Sequence, residues 1–456
     1  MSVALDLLHN LFAYLPDNSK IKLFESFNKN LYDDFVVNNF KIQLNTRLSV
    51  SVFKTSGIFI PKIIIVSNND DLEYVSNLRV HIDTLEFCNK FNKKINKFPK
   101  YTKIVRFGNN FNQSIDYFQN CNVNEIYFGS SYNKSVNKLP KTLKYIWFGK
   151  QFNKSVDTLP SDLEVIYFGE KFNKSIDSLP NSIKIIYFGD NFNQPIKKLP
   201  KNIVSLQFGE KFNNYIHKYP DNLLCLEFGK DFNQNVDNLP NNITKLIFCA
   251  KFNQKIDFSH MKSLYKLRFG YDFNENIDYR LPENLKKLVL WGKFNQAIKY
   301  LPPNIEQLEF GWYFDQEITN FPQNIKNLYF GTCFNKSIES LPDSVKILEL
   351  GFDFNQKITK LPLNLECLYI TILYQDDFLL KCTNLKKLYI KIGNKIQYLP
   401  PNLELLYIED DFLLKMTVYP NTLKEIYADE PEKLKKTCNI PDRIKVKKIN
   451  SSTVFN

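Results

Sequence analysis

The sequence predicts an elongated repeat solenoid, with a parallel β-sheet on its concave face and little helix, preceded by a small all-α module. Three observations carry this expectation. An aromatic-Asn pair recurs at 20- or 21-residue spacing from Phe91 to Phe354. Such a period marks units that cannot bury an apolar face alone and must stack on their neighbours. Each unit also contains a stretch such as Leu163-Glu-Val-Ile166-Tyr-Phe168, whose last three positions alternate in and out as a short strand requires. Residues 1–45 instead place Leu5, Leu8, Phe12 and Leu15 at helical spacing.

From the N-terminus, this first apolar run ends at Pro16-Asp-Asn-Ser19. A second helix is expected from Ser19 or Lys20, carrying Ile21, Phe24 and Phe27, and Leu31-Tyr32 opens a third. Residues 46–77 connect the module to the array and cap it. Within them Ile58 to Val66 reads as strand and Ser67 to Asp71 as a turn. The solenoid is expected over 78–428, and the Lys-rich segment 429–456 supplies the polar terminal cap such arrays need.

Within a unit each position has a task. Gly after the strand, as in Gly149, Gly169 and Gly331, answers to a positive φ or to close backbone approach. Leu-Pro, as in Leu159-Pro160, sets an extended bend. Asn follows the aromatic in every unit except at Asp315, and a column of amides can satisfy turn backbone groups of its own and adjacent coils. An ionised carboxylate only accepts, so Asp315 is expected to be the weak rung, and Asp315→Asn to raise the melting temperature.

Units such as Phe172-Asn-Lys-Ser-Ile-Asp-Ser-Leu-Pro180, followed by Ile183, Ile186, Phe188 and Gly189, resemble FNIP repeats. These are leucine-rich-repeat relatives of amoebae and the giant viruses that infect them. The resemblance implies a leucine-rich-repeat-like array without catalytic chemistry. Leu8 to Pro16, with Lys20-Ile-Lys-Leu-Phe24 and Asn30-Leu-Tyr32, is similar to an F-box. It departs from that pattern in lacking Leu-Pro before the first helix and Cys-Lys or Cys-Arg near Phe27-Asn28. This similarity implies docking on a Skp-type adaptor of a cullin ubiquitin ligase, with Leu8, Phe12, Leu15, Pro16, Ile21 and Phe24 on the adaptor-facing surface or in the module core. A plain helical cap is the competing reading of the same residues.

Target binding is expected on the outward strand column of the concave face, at Arg106, Tyr127, Trp147, Tyr167 and Tyr187, because consecutive aromatics are enriched at protein interfaces. Stacked aromatics that merely support the sheet are the alternative.

Composition narrows the function classes. Lys plus Arg exceed Asp plus Glu by 60 to 48, but Lys is dispersed and Arg scarce, so no nucleic-acid role is expected. The most apolar stretch, Gly57 to Val66, is broken by Pro61 and Lys62, so no membrane role is expected either. The eight cysteines lie far apart without a C-x-x-C pair, which suits reduced intracellular thiols and no metal. Asn133, Asn153, Asn173 and Asn335 sit in Asn-Lys-Ser sequons, and glycans there would break the amide column. A cytoplasmic location follows, in a host cell if the chain is viral. No catalytic motif, phosphate loop or cofactor site is expected. The overall expectation is a non-catalytic substrate receptor of a ubiquitin ligase, or else a scaffold or decoy with no ligase role.

Overall fold

The computed structural model describes residues 42–50, 59–78, 81–373, 376–393, 396–409 and 418–449. The helices expected over 1–45, with Leu8, Phe12, Leu15, Pro16, Ile21 and Phe24, lie outside the described residues, apart from 42–45. Those four residues belong to a strand. The chain divides into two units, Met1–Asn222 and Leu223–Asn456.

The first unit contains β1 (Ile42–Ser49), β2 (Phe59–Val66), α1 (Asn69–Asn77), β3 (Ile82–Phe87) and β4 (Thr102–Arg106). β5 (Glu125–Tyr127), β6 (Tyr145–Trp147), β7 (Val165–Tyr167), β8 (Ile185–Tyr187) and β9 (Ser205–Gln207) follow. Each strand pairs in parallel with the next. The second unit contains β10 (Cys225–Glu227), β11 (Lys245–Ile247), β12 (Lys266–Phe269), β13 (Lys287–Leu290), β14 (Gln307–Phe310) and β15 (Asn327–Tyr329). It continues with β16 (Ile347–Leu350), β17 (Cys367–Leu373), β18 (Lys387–Gly393), β19 (Leu405–Ile408), β20 (Glu425–Ala428), α2 (Pro431–Thr437) and β21 (Lys445–Lys448). Its strands too are parallel and in sequence order.

The sequence explains why each coil closes. In the unit around Phe172, Phe168 stacks on Phe172 at 3.9 Å between ring centroids, and Phe172 lies 6.1 and 6.0 Å from Phe152 and Phe192 of the adjacent coils. Phe172 is fully buried. Burying one such ring contributes about 1.5–3 kcal/mol, and repetition along the array makes the aromatic columns a large apolar term beside the buried Leu and Ile of each coil. The carbonyls of Pro160 and Pro180 accept from the N–H of Leu163 and Ile183, so Leu-Pro opens a tight turn into each strand.

Of the two reasons offered for the glycine after the strand, close approach is the operative one. Gly292 is the only described glycine at positive φ, where Trp291 has displaced it by one place. Elsewhere the backbone is ordinary but space is lacking. A Cβ on Gly149 would sit 1.8 Å from the carbonyl oxygen of Gly129, and one on Gly331 2.0 Å from that of Gly311.

The asparagine column forms a ladder with one direction. Along the column an Asn Oδ1 accepts from the backbone N–H of the equivalent residue in the next coil, as from Asn193 to Asn173 at 3.0 Å and from Asn274 to Asn253 at 2.9 Å. A neighbouring side-chain amide often uses the second lone pair, as Gln194 Nε2 does on Asn173 Oδ1 at 3.1 Å. Since the ladder asks its side chain only to accept, the weak rung expected at Asp315 is not one. Asp315 Oδ1 accepts from Asn335 N–H at 2.9 Å, its own N–H reaches Asn295 Oδ1 at 2.9 Å, and Lys336 pairs with Oδ2 at 2.9 Å.

The segment Ser67–Asp71, read as a turn, starts a helix. Asn68 Oδ1 accepts from Asp71 N–H and Asp71 Oδ2 accepts from Ser67 N–H, both at 2.9 Å. One first-turn donor and the N–H just before the cap are thereby satisfied, while Leu72 and Val75 are buried beneath α1.

Candidate functional site

Because strand residues alternate, the middle residue of each short strand is buried and its two neighbours share the outer face of the sheet. Parallel pairing without register shift brings equivalent positions into line. In the first unit Arg106, Tyr127, Trp147, Tyr167 and Tyr187 therefore occupy adjacent strands β4 to β8 and form one continuous stack. The Arg106 guanidinium carbon lies 5.0 Å from the Tyr127 ring. Ring separations are then 4.2 Å for Tyr127 and Trp147, 4.9 Å for Trp147 and Tyr167, and 4.3 Å for Tyr167 and Tyr187, all within 12° of parallel. All five residues predicted for target binding are thus brought together, half-buried on the sheet surface.

The column beside them was not singled out from sequence. It places Glu125, Tyr145, Val165 and Ile185 on the same face. Tyr127 donates to Glu125 Oε2 at 3.0 Å, and Tyr145 lies 6.2 Å from Trp147. Two parallel columns make this face broad and largely apolar. Burial pushes the Tyr127 and Tyr167 phenols up, with Glu125 adding to the effect on Tyr127.

The second unit carries a matching stack at its far end. Tyr369, Tyr389, Tyr407 and Tyr427 lie 4.0, 4.0 and 4.5 Å apart, and the Lys447 ammonium sits 5.5 Å from the Tyr427 ring. Tyr427 and Lys447 extend the outward column by two strands beyond Tyr407. The signal was present, since Glu425-Ile-Tyr427 repeats Leu405-Leu-Tyr407.

Between β11 and β16 the same face is charged. Lys245, Lys266 and Lys287 are successive partners in one column, and Arg268 lies beside them. Burial, followed by Lys287 and Lys245, holds the Lys266 ammonium below its usual pKa. Glu227 and Glu309 face Lys245 and Lys287 at 3.9 and 2.8 Å. Glu349 is the opposite case, its carboxyl raised by burial and then by Glu309. Among the described residues no group of three or more His, Cys, Asp or Glu is arranged to hold a metal ion. No described helix is long and apolar enough to cross a membrane.

Comparison with known proteins agrees with this architecture. The family model described as FNIP Repeat matches residues 135–171, 172–211, 294–333, 319–353 and 334–371. Among solved structures the chain is similar to CroV588, described as a novel circular LRR protein, at 32% identity and a TM-score of 0.68. That likeness covers 81% of this chain and 63% of CroV588, so the chain spans less than two thirds of that protein. YopM from Yersinia enterocolitica is 18% identical with a TM-score of 0.48, over 76% of this chain and 86% of YopM. An LRR protein of Leptospira interrogans is 16% identical with a TM-score of 0.44, over 84% of this chain and 99% of its own. No curated protein sequence matches the chain. The chain carries FNIP repeats and has a leucine-rich-repeat-type parallel-sheet solenoid fold, a type of fold that typically serves as a binding scaffold.

Proposed function

We propose that the chain is a non-catalytic protein-binding scaffold whose outer sheet face selects a protein target, and that it delivers this target to a cullin-type ubiquitin ligase through residues 1–45. The observation that carries the binding half is the Arg106–Tyr187 stack. The buried aromatic columns already close the coils, so five large side chains aligned on the opposite face lie outside that core. Rigid, half-buried aromatics on a broad face lose little entropy on binding and suit a protein partner. Support for the ligase half is the sequence pattern from Leu8 to Tyr32, which resembles a module that docks on a Skp-type adaptor.

Two substitutions separate the halves. In the full chain, Trp147→Ala with Tyr167→Ala should abolish target capture while leaving the fold intact; a folded variant that keeps every partner removes the stack from the site. Leu8→Asp with Phe12→Asp should abolish co-purification with the Skp-type adaptor while target capture persists. If the wild-type chain never co-purifies with the adaptor, the chain is a scaffold or decoy without a ligase role.

A further inference from the structure

The turn that follows each strand holds polar residues throughout the regular coils of the first unit: Ser130, Lys150, Glu170, Asp190 and Glu210. In the second unit the same turn carries Tyr271, Trp291, Trp312, Tyr313 and Phe352. These five rings project into solvent, Trp312 at 63% exposure and Trp291 at 47%. Folding does not require them there, since the equivalent coils close with Lys or Glu. An exposed cluster of this size, restricted to a few adjacent coils, marks an interaction site.

The cluster borders a groove of about 900 Å³ running along the ends of β14 to β16. Trp291, Trp312 and Phe352 form part of its wall, Tyr329 stands on its floor, and Glu309 and Glu349 supply carboxylates. The cations near it are already engaged. Lys287 pairs with Glu309 at 2.8 Å, Lys391 with Glu409 at 2.9 Å and Lys293 with Asp272 at 2.7 Å, while the Arg268 guanidinium carbon lies 4.2 Å from the Trp291 ring. Among the described residues Glu349 has no cation partner. Equivalent strand positions are spaced by about 4.8 Å, which puts Glu349 about 10 Å from Glu309 and, with two residues along the strand as well, about 16 Å from Lys287.

We propose that this groove binds an extended segment of a partner protein through a Lys or Arg side chain, which enters between the aromatic rings and pairs with Glu349. Two features of the groove call for the same occupant. A partly buried carboxylate without a counter-charge gains most from a cation that arrives with its partner. Aromatic faces attract Lys and Arg heads within about 6 Å of the ring centre, and their apolar bodies cover the aliphatic stems. Burial already raises the Glu349 pKa, and a bound cation would return it toward the ordinary carboxylate range. The inference rests on the protein-binding reading above and adds to it a second subsite and the charge of the partner.

The test uses the full chain and a display library of random twelve-residue peptides, with the selected peptides then synthesised. Trp291 and Trp312 are two of the three tryptophans, so intrinsic fluorescence reports binding in the groove. The selected peptides should be enriched in Lys or Arg next to an apolar residue. Their affinity should fall at least tenfold with Glu349→Gln and with Trp312→Ala, and be unchanged with Trp147→Ala. Replacing the peptide's Lys by norleucine should cost the same factor in the wild type and nothing further in Glu349→Gln, a near-isosteric change whose fold is checked by thermal unfolding. Peptides without cationic enrichment, peptides that bind Glu349→Gln equally well, or no selected peptide at all would overturn the groove assignment. If binding is lost only with Trp147→Ala, the groove assignment fails while the protein-binding reading stands; if the chain captures neither peptides nor proteins, both fail.

Discussion

Gly169→Ala adds a single methyl group at the tightest kind of point in the solenoid. The new Cβ would lie 1.9 Å from the carbonyl oxygen of Gly149 and 2.5 Å from its carbon, whereas real Cβ atoms essentially never approach closer than 3.0 Å. The two coils must therefore separate locally by about 1.1 Å, and the obstacle is backbone that cannot rotate away. Lys171 N–H donates to Lys150 O at 2.9 Å and Asn173 N–H to Asn153 Oδ1 at 3.0 Å, and the same opening carries both beyond hydrogen-bonding range. Each bond lost in a half-buried turn costs about 1–1.5 kcal/mol, and loosening Phe172 against Phe152 adds about 1 kcal/mol, for a total of about 3–4 kcal/mol. Urea unfolding followed by circular dichroism reads this loss. Lys150→Ala, at an exposed turn position, is the control and should stay within about 0.5 kcal/mol. A Gly169→Ala loss below about 1 kcal/mol would show that the coils slide past each other freely and refute close packing as the reason for glycine.

Asn173→Ala removes the acceptor of both Asn193 N–H and Gln194 Nε2 and should cost about 1–3 kcal/mol, whereas Asn173→Asp, which keeps Oδ1, should cost less than about 1 kcal/mol by chemical denaturation. Asp315→Asn should change stability by less than about 0.5 kcal/mol, because its ladder bonds persist and the pair given up with Lys336 is solvent-exposed; a clear rise in melting temperature would restore the weak-rung expectation. The carboxyls of Glu164, Glu306 and Glu366 are held below their usual pKa, chiefly by hydrogen bonds from Lys184, Lys326 and Lys346 of adjacent coils. With folded values below unfolded ones, this stabilisation is complete above the ordinary carboxylate range and is lost as pH falls through the depressed values. Melting curves taken downward from neutral pH should show that loss, and roughly molar salt should shrink it, since these pairs are exposed.

The sheet, its register and its parallel order were legible because the 20-residue period places every strand against its equivalent, so one correctly read coil orders its neighbours. The task of the recurring glycine was legible only as two alternatives: φ and inter-coil clearance both favour glycine, and a sequence contains neither. Asp315 was misread because the ladder side chain was credited with donating as well as accepting, while it is needed only as an acceptor, of the next coil's backbone N–H and often of a side-chain amide. Helix α1 was missed because nine residues expose only Leu72 and Val75 as an apolar face, and its cap residues Asn68 and Asp71 also favour turns. Following one outward column recovered the Arg106–Tyr187 stack but left out Tyr145 and Ile185 on the same face.

The groove was illegible for a different reason. Its aromatics occupy turn positions, which align with scaffold residues of other coils, and its carboxylate lies in a strand column whose neighbours are tyrosines. Only folding brings Trp312 and Glu349 to one cleft. The two surfaces also differ in what their rings still have to offer. In the first-unit stack every aromatic already presents a face to its neighbour, so a partner meets ring edges and hydroxyls, with gains set mainly by shape and area. In the groove Arg268 and Lys293 already cover Trp291 and Tyr271, but Trp312 meets Tyr271 only edge-on, at 89° and 6.5 Å, which leaves the Trp312 ring face open for a cation. Changing Trp147 should therefore weaken binding at the stack at any ionic strength, and changing Glu349 should weaken binding in the groove chiefly at low salt.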